Sequence, residues 1–231
     1  MTLGIWQPYL LPYIGYWQLF AAVDRFVLYD NLQYSKQGWI NRNRFLRDGT
    51  QPFFTVPLKK ASDYLNIADR TIADDFEPAS LLNAIEAAYG KAPFFEVTFP
   101  LVQQVIGARS RNLFEYLHEG IRLVADHLHI RTPVVVSSTI RIDHSLKAQD
   151  KVLAICEALG ASRYLNGFGG RALYSTEAFA ARGVELKFLQ RRVTPYEQFG
   201  RPFVPDLSIV DVLMFNSPER ARAMLLEYDL V

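Results

Sequence analysis

Short apolar runs alternate along this chain with stretches in which apolar residues recur every three or four positions, starting from the first residues. Leu3 to Trp6 is an apolar run closed by Gln7-Pro8, where proline disfavours a helical residue before it, and it predicts a first strand. Ile14, Tyr16, Trp17, Leu19, Phe20 and Val23 then recur at helical spacing, and Phe26 to Tyr29 form a second run that ends at Asp30. The result is a strand, helix, strand unit, of the kind that builds parallel sheets through right-handed crossovers. Ligands of open α/β sheets collect at the carboxyl ends of the strands, which places Gln7 and Asp30 at the expected binding rim.

Residues 34–60 alternate polar and aromatic side chains and end in the strand-like Phe53-Phe54-Thr55-Val56 before Pro57. Three helices follow as a lid or packed layer: Ser80 caps residues 81–89, Pro93 opens a helix through about Gly107, and Ser110 caps one to about His127. Pro133 to Val136 is β-branched and reads as a buried strand that delivers Ser137, Ser138 and Thr139 at its exit. Leu146 to Leu159 is an amphipathic helix stopped by Gly160, and Tyr164-Leu165 leads into the loop Asn166-Gly167-Phe168-Gly169-Gly170. Val184 to Leu189 is a late strand, Ser208 with Asp211 approximates a capping pair for a helix through Phe215, and Ser217-Pro218 starts the last helix. The fold class is α/β, a mainly parallel sheet flanked by helices, in a single domain over residues 1–231.

Composition narrows the function classes. Lys plus Arg number 25 against 24 acidic residues, so the chain lacks the surplus charge of a phosphate-backbone binder, and nucleic acid is not an expected partner. Asp24, Arg25 and Asp30 interrupt the best apolar stretch, which argues against membrane insertion. A lone Cys156 excludes an internal disulfide and fits a reducing compartment, and the cytoplasm is the expected address. Aromatic residues, many beside Gln, Asn, Pro or Gly, suit a pocket with flat walls and polar tips as well as a core.

Three constellations carry candidate chemistry. Gln7, Tyr9 and Tyr16 surround a strand-to-helix turn without acidic groups, suited to an anion at the helix start, although the tyrosines serve equally as packing residues. Asp30, Trp39, Asn41, Arg42, Asn43 and Lys59 offer amides, a flat ring and a guanidinium that can clamp phosphate or carboxylate. Asn166, Gly169 and Gly170 with Tyr174 form the third; it lacks the Gly-Lys-Ser of a P-loop and the GxGxxG spacing of a dinucleotide site. His144 lies in a loop where an imidazole can act as base, and with Asp30 and Tyr9 it makes up the candidate catalytic set. No Cys or His cluster has zinc spacing, so no metal site is assigned, and no cofactor is specified.

Two resemblances extend this reading. Tyr13-Ile14-Gly15-Tyr16 is similar to the His-x-Gly-His turn of the nucleotidyltransferases with both histidines replaced, and Ser137-Ser138-Thr139-Ile140-Arg141 is similar to their serine-rich phosphate motif. That implies a HUP-type N-terminal unit without the cationic imidazoles of adenylylation. Gln7 to Tyr16, Asn41-Arg42-Asn43, Tyr164-Leu165-Asn166 with Gly169-Gly170, and Leu207 to Asn216, which includes Asp211, together resemble the WbqC-like family. The departure is Asn166-Gly167-Phe168, where a Pro-containing turn is expected in many relatives. The resemblance implies a place in O-antigen, capsule or natural-product clusters. The expected function is a biosynthetic transferase that moves an acyl or aminoacyl group to an amino sugar or related amine. A degenerate nucleotide-processing enzyme and a non-catalytic sugar- or nucleotide-binding subunit are the alternatives. The expected partner is an anionic small molecule, a nucleotide sugar or activated acyl donor, with an acyl carrier protein as a further candidate. In that scheme Arg42, Ser137 and Ser138 hold phosphate, Asn41, Asn43 and Asn166 read hydroxyls, and Tyr9 with Trp39 forms a wall.

Overall fold

Side chains along β1 (Thr2–Trp6) alternate between two buried clusters, with Leu3 and Ile5 in one and Trp6 packed on the other. Gly4 faces the second cluster, where an added Cβ would press on Phe26, Leu19 and Val23 at 3.2–3.3 Å. The missing side chain therefore lets α1 (Ile14–Ala21) lie directly on the strand. The chain returns through β2 (Arg25–Leu28), parallel to β1 with Gly4 opposite Phe26, which completes the strand, helix, strand unit.

The computed structural model describes residues 1–231. After β2 come a small antiparallel pair, β3 (Arg42–Arg44) with β4 (Phe53–Thr55), and the helices α2 (Pro78–Tyr89), α3 (Phe95–Ile106) and α4 (Leu113–His127). The chain then runs through β5 (Val134–Val136), α5 (Ala148–Ala158), β6 (Arg163–Gly167), α6 (Thr176–Ala180) and β7 (Glu185–Arg191). It ends with α7 (Ile209–Phe215), α8 (Pro218–Met224) and β8 (Tyr228–Leu230). The six-stranded sheet has the order β5-β2-β1-β6-β7-β8, parallel throughout except for β8 against β7. Helices α1 to α4 with α7 and α8 cover one face around the larger apolar cluster, and α5 and α6 cover the other. Cys156 is buried in that second layer, where burial pushes its thiol up to about 12, so it packs as a small apolar group.

Local signals correct two helix starts. Helix α2 opens at Pro78, whose fixed φ suits a first helical turn, so Ser80 lies inside the helix rather than at its cap. Asn112, not Ser110, caps α4, its Oδ1 accepting from the Glu115 amide at 3.0 Å, while Ser110 Oγ donates to the Glu115 carboxylate at 2.7 Å. Strand β8 and helix α6 carry too short a pattern to be read from sequence. No helix is long and apolar enough to cross a membrane.

Candidate functional site

The sheet is wound outward in both directions from β1 and β6, so the connections leaving these two neighbours diverge at their carboxyl ends and open a crevice. A cavity of about 420 Å³ occupies it. Trp6, Gln7, Tyr9 and Tyr13 line the β1 side, Tyr29 and Leu32 follow β2, and Asn166, Gly167, Gly169, Gly170, Leu173 and Tyr174 form the far rim. A side chain would crowd two of these glycines: a Cβ on Gly167 would stand 2.7 Å from the Trp6 ring, and one on Gly170 would stand 2.8 Å from Asn166 Nδ2. Asn166 Oδ1 accepts from the Gly167 amide at 2.7 Å and fixes the start of the loop.

A second cavity, also about 420 Å³, lies on the other side of Tyr9 and Tyr13 and shares both rings. Pro12, Trp39, Asn43, Arg44, Arg191 and Asp206 complete it. Arg191 is ion-paired with Asp206. Arg44 stacks over Trp39 at 5.1 Å and donates to Gln51 Oε1 at 3.1 Å, while its Nε is buried without a partner. Burial raises the phenol pKa of both Tyr9 and Tyr13, offset in Tyr13 by Arg191, so both face the cavities as neutral hydroxyls. A larger cleft of about 520 Å³ near Arg47, Lys91 and Arg201 is lined by none of the residues expected from sequence.

The turn that carries Tyr9 and Tyr13 is strained and heavily tied. Leu11 has φ of +45°, a backbone region that costs an L-residue about 1–2 kcal/mol. Asn43 Nδ2 donates to the carbonyls of Leu10 and Leu11, both at 2.9 Å, and Ser208 Oγ donates to Leu11 at 2.8 Å. Trp17 Nε1 donates to the Pro12 carbonyl at 2.9 Å, and the Ile209 amide donates to it at 3.1 Å. Residues from β3, α1 and α7 thus hold one turn, which explains why blocks remote in sequence meet here. The Tyr13 ring lies across Gly15, where a Cβ would stand only 2.5 Å from it. Gly15→Ala is expected to change stability by less than about 1 kcal/mol, because helix propensity offsets the crowding. It also displaces the Tyr13 ring that both cavities share, and thermal unfolding together with a crystal structure of the variant checks the two effects.

Of the residues expected from sequence, Gln7, Tyr9, Asn166, Gly169, Gly170 and Tyr174 line the crevice, and Trp39 and Asn43 line the arginine-bearing cavity. The others stand elsewhere, each for a physical reason. Tyr16 is fully buried beneath Trp6 and Tyr9, with ring centres 5.3 and 5.9 Å away, so it is core rather than wall. Asn41 accepts from the Tyr34 hydroxyl and donates to the Val56 carbonyl, both at 2.8 Å, which satisfies its amide inside the fold. Arg42 donates to the carbonyls of Gln37 and Gly38 and stacks on Phe53, so it pins a loop instead of facing either cavity. Lys59 pairs with Asp74 at 2.8 Å on the surface.

The expected bases are likewise engaged. Asp30 is buried at the end of β2, where its Oδ1 accepts from Ser137 Oγ at 2.8 Å and the Ser138 amide at 2.9 Å. These bonds join β2 to β5 and commit the Ser137 hydroxyl and the Ser138 amide to a carboxylate of the fold. His144 is surface-exposed, with Nδ1 at 2.9 Å from Asn31 Nδ2 and Nε2 at 3.0 Å from the Ile140 carbonyl. That pattern is satisfied when Nδ1 accepts and Nε2–H donates, leaving no lone pair for a substrate proton. Asp211 is fully buried and accepts from Tyr89 at 2.9 Å and from Tyr196 and Gln198, each at 2.6 Å. It locks α7 to α2 and lines neither cavity. Sequence reading missed Trp6, Tyr29 and Arg44, which lie next to flagged positions, and Arg191 with Asp206, which no local pattern marks.

Comparison with known proteins agrees with the distribution of these motifs. A 216-residue alignment covering 92% of this chain and 92% of the relative shows 26% identity to a Mycobacterium tuberculosis protein named "Uncharacterized protein Rv1507c". No solved structure matches the chain. The family model described as the WbqC-like protein family matches residues 7–223, from Gln7, directly after β1, into α8, and so covers every residue that lines the two cavities except those of β1. The chain therefore belongs to the WbqC-like protein family.

Proposed function

We propose that this chain is a biosynthetic transferase that moves an acyl or aminoacyl group to an amino sugar or related amine in surface-glycan or natural-product assembly. The anionic part of its activated substrate, a nucleotide sugar or acyl donor, lies against Arg44 and Arg191. The observation that carries this reading is the pair of guanidiniums converging on a cavity that adjoins the sheet crevice across only two tyrosine rings. A substrate held across that wall has its anionic and neutral parts fixed in position, and a second reactant that meets it there reacts by proximity. The acceptor nitrogen attacks the acyl carbon, the bond to the leaving group breaks, and the nitrogen's proton departs with that group. Tyr9 is the one member of the expected catalytic set that lines the cavities, and its phenol is suited to donate to the oxyanion that forms.

A nucleotide-processing enzyme remains the second reading, favoured by the doubly wound strand order but weakened by the engagement of Ser137 and Ser138 with Asp30. Turnover of amino-sugar nucleotides with acyl donors, free or on a carrier protein, tests the first. Arg44→Ala and Arg191→Ala are each expected to lower kcat/KM by roughly tenfold to a hundredfold, the worth of a charge-assisted hydrogen bond. Pyrophosphate release from ATP without acyl transfer supports the second reading. Stabilisation by sugar nucleotides with no turnover points to a binding subunit.

A further inference from the structure

We propose that the crevice at the carboxyl ends of β1 and β6 is a subsite for an uncharged ring bearing hydroxyl or amide groups. It is held beside, and separate from, the anion on the arginine side, so that one ligand spans Tyr9 and Tyr13. This assignment rests on the anion site proposed above and adds what lies next to it.

Charge decides the assignment. Every side chain that lines the crevice is neutral: aromatic, aliphatic, amide or glycine. Of the neighbouring cations, Lys151 is buried with its Nζ 5.1 Å from the Tyr29 ring centre and 3.3 Å from the Asn31 carbonyl, and Arg171, next to Gly170, stands over the Phe168 ring at 6.0 Å; neither is part of the lining. A phosphate in the crevice would lack a cationic side chain and an ammonium would lack a carboxylate, and either charge is costly to remove from water unpaired. Across the two tyrosines the balance reverses, with Arg44, Arg191 and Asp206 on the lining.

Shape and polar groups name the moiety. A volume of about 420 Å³ lies within the range of small-molecule pockets. Trp6 and Tyr9, with ring centres 6.3 Å apart at 69°, give two flat faces set at an angle, against which a sugar or base can pack. Gln7 adds an amide with no hydrogen bond to the protein, and Asn166 and Tyr174 add a second amide and a hydroxyl to the lining. Gly169, with open space where a side chain would be, leaves the rim clear for entry.

The test measures binding of three neutral probes, uridine, adenosine and N-acetylglucosamine, and of their monophosphates to the full chain by ligand-observed NMR and calorimetry. At least one neutral probe is expected to bind, its phosphate binding about tenfold or more tightly. Gln7→Leu and Asn166→Leu should weaken that probe and its phosphate by the same factor, roughly tenfold. Arg44→Ala should abolish only the gain from phosphate. Which probe binds separates a base from a sugar. Binding of no neutral probe, or loss of neutral-probe binding on Arg44→Ala but not on Gln7→Leu or Asn166→Leu, overturns the assignment. Gln7 is partly exposed and its side chain makes no hydrogen bond to the protein, so Gln7→Leu reads the site even if Asn166→Leu disturbs the loop. Failure of turnover with this binding pattern intact sinks the transferase reading and leaves the subsite standing.

Discussion

Asn43→Ala is expected to lower the unfolding free energy by about 3 kcal/mol and the melting temperature by roughly 6–12 °C. The side chain is buried and makes three hydrogen bonds, donating to the Leu10 and Leu11 carbonyls and accepting from the Arg44 amide at 2.8 Å. Alanine leaves those three backbone groups to find new partners while Leu11 still holds a left-handed conformation. Ser208 retains one bond to Leu11, which keeps the loss finite. Because the same turn carries Tyr9 and Tyr13, the variant should also bind ligand more weakly at temperatures where it is folded. Denaturant unfolding paired with titration separates the two effects, and a variant as stable as the parent would remove the turn from the account.

The second large effect belongs to Asp211. Burial raises its carboxyl pKa, and the hydrogen bonds from Tyr196, Gln198 and Tyr89 lower it without reversing the direction. The folded state thus binds this proton more tightly than the unfolded chain does. The contribution of the group is greatest below the ordinary carboxylate range and is lost as pH rises from that range through the raised folded value. Asp211→Asn should remove this slope on the acid side. Asp211→Ala, which leaves three donors without their acceptor, should lower stability by about 3–5 kcal/mol at neutral pH. Urea unfolding at a series of pH values checks both, and a parent whose stability rises through that window on account of Asp211 would contradict the sign.

The strand, helix, strand start was legible because its apolar periods are clean and Pro8 and Pro12 bracket the turn. The sheet rim was legible for the same reason, since Gln7 and Asn166 follow directly on the ends of apolar runs. Polar residues in turns are engaged by the fold itself in one consistent way. Asn41, Arg42, Asp30 and Ser137 carry the chemistry a ligand needs, yet the fold uses that chemistry to satisfy buried backbone and side-chain groups. An amide facing a carbonyl of its own chain and one facing a sugar hydroxyl look alike in sequence. Arg191 shows the converse, since only the register of β7 carries it to Tyr13 and Asp206, 6.0 Å from the ring centre of the tyrosine.

A crystal structure of the protein soaked with a sugar nucleotide tests the whole account in one measurement. The phosphates are expected within hydrogen-bond distance of Arg44 or Arg191, with a neutral ring against Trp6, Gln7 and Asn166 and the chain of the ligand passing Tyr9 and Tyr13. Density for the ligand in the cleft by Arg47, Lys91 and Arg201, with both tyrosine-lined cavities empty, would contradict it.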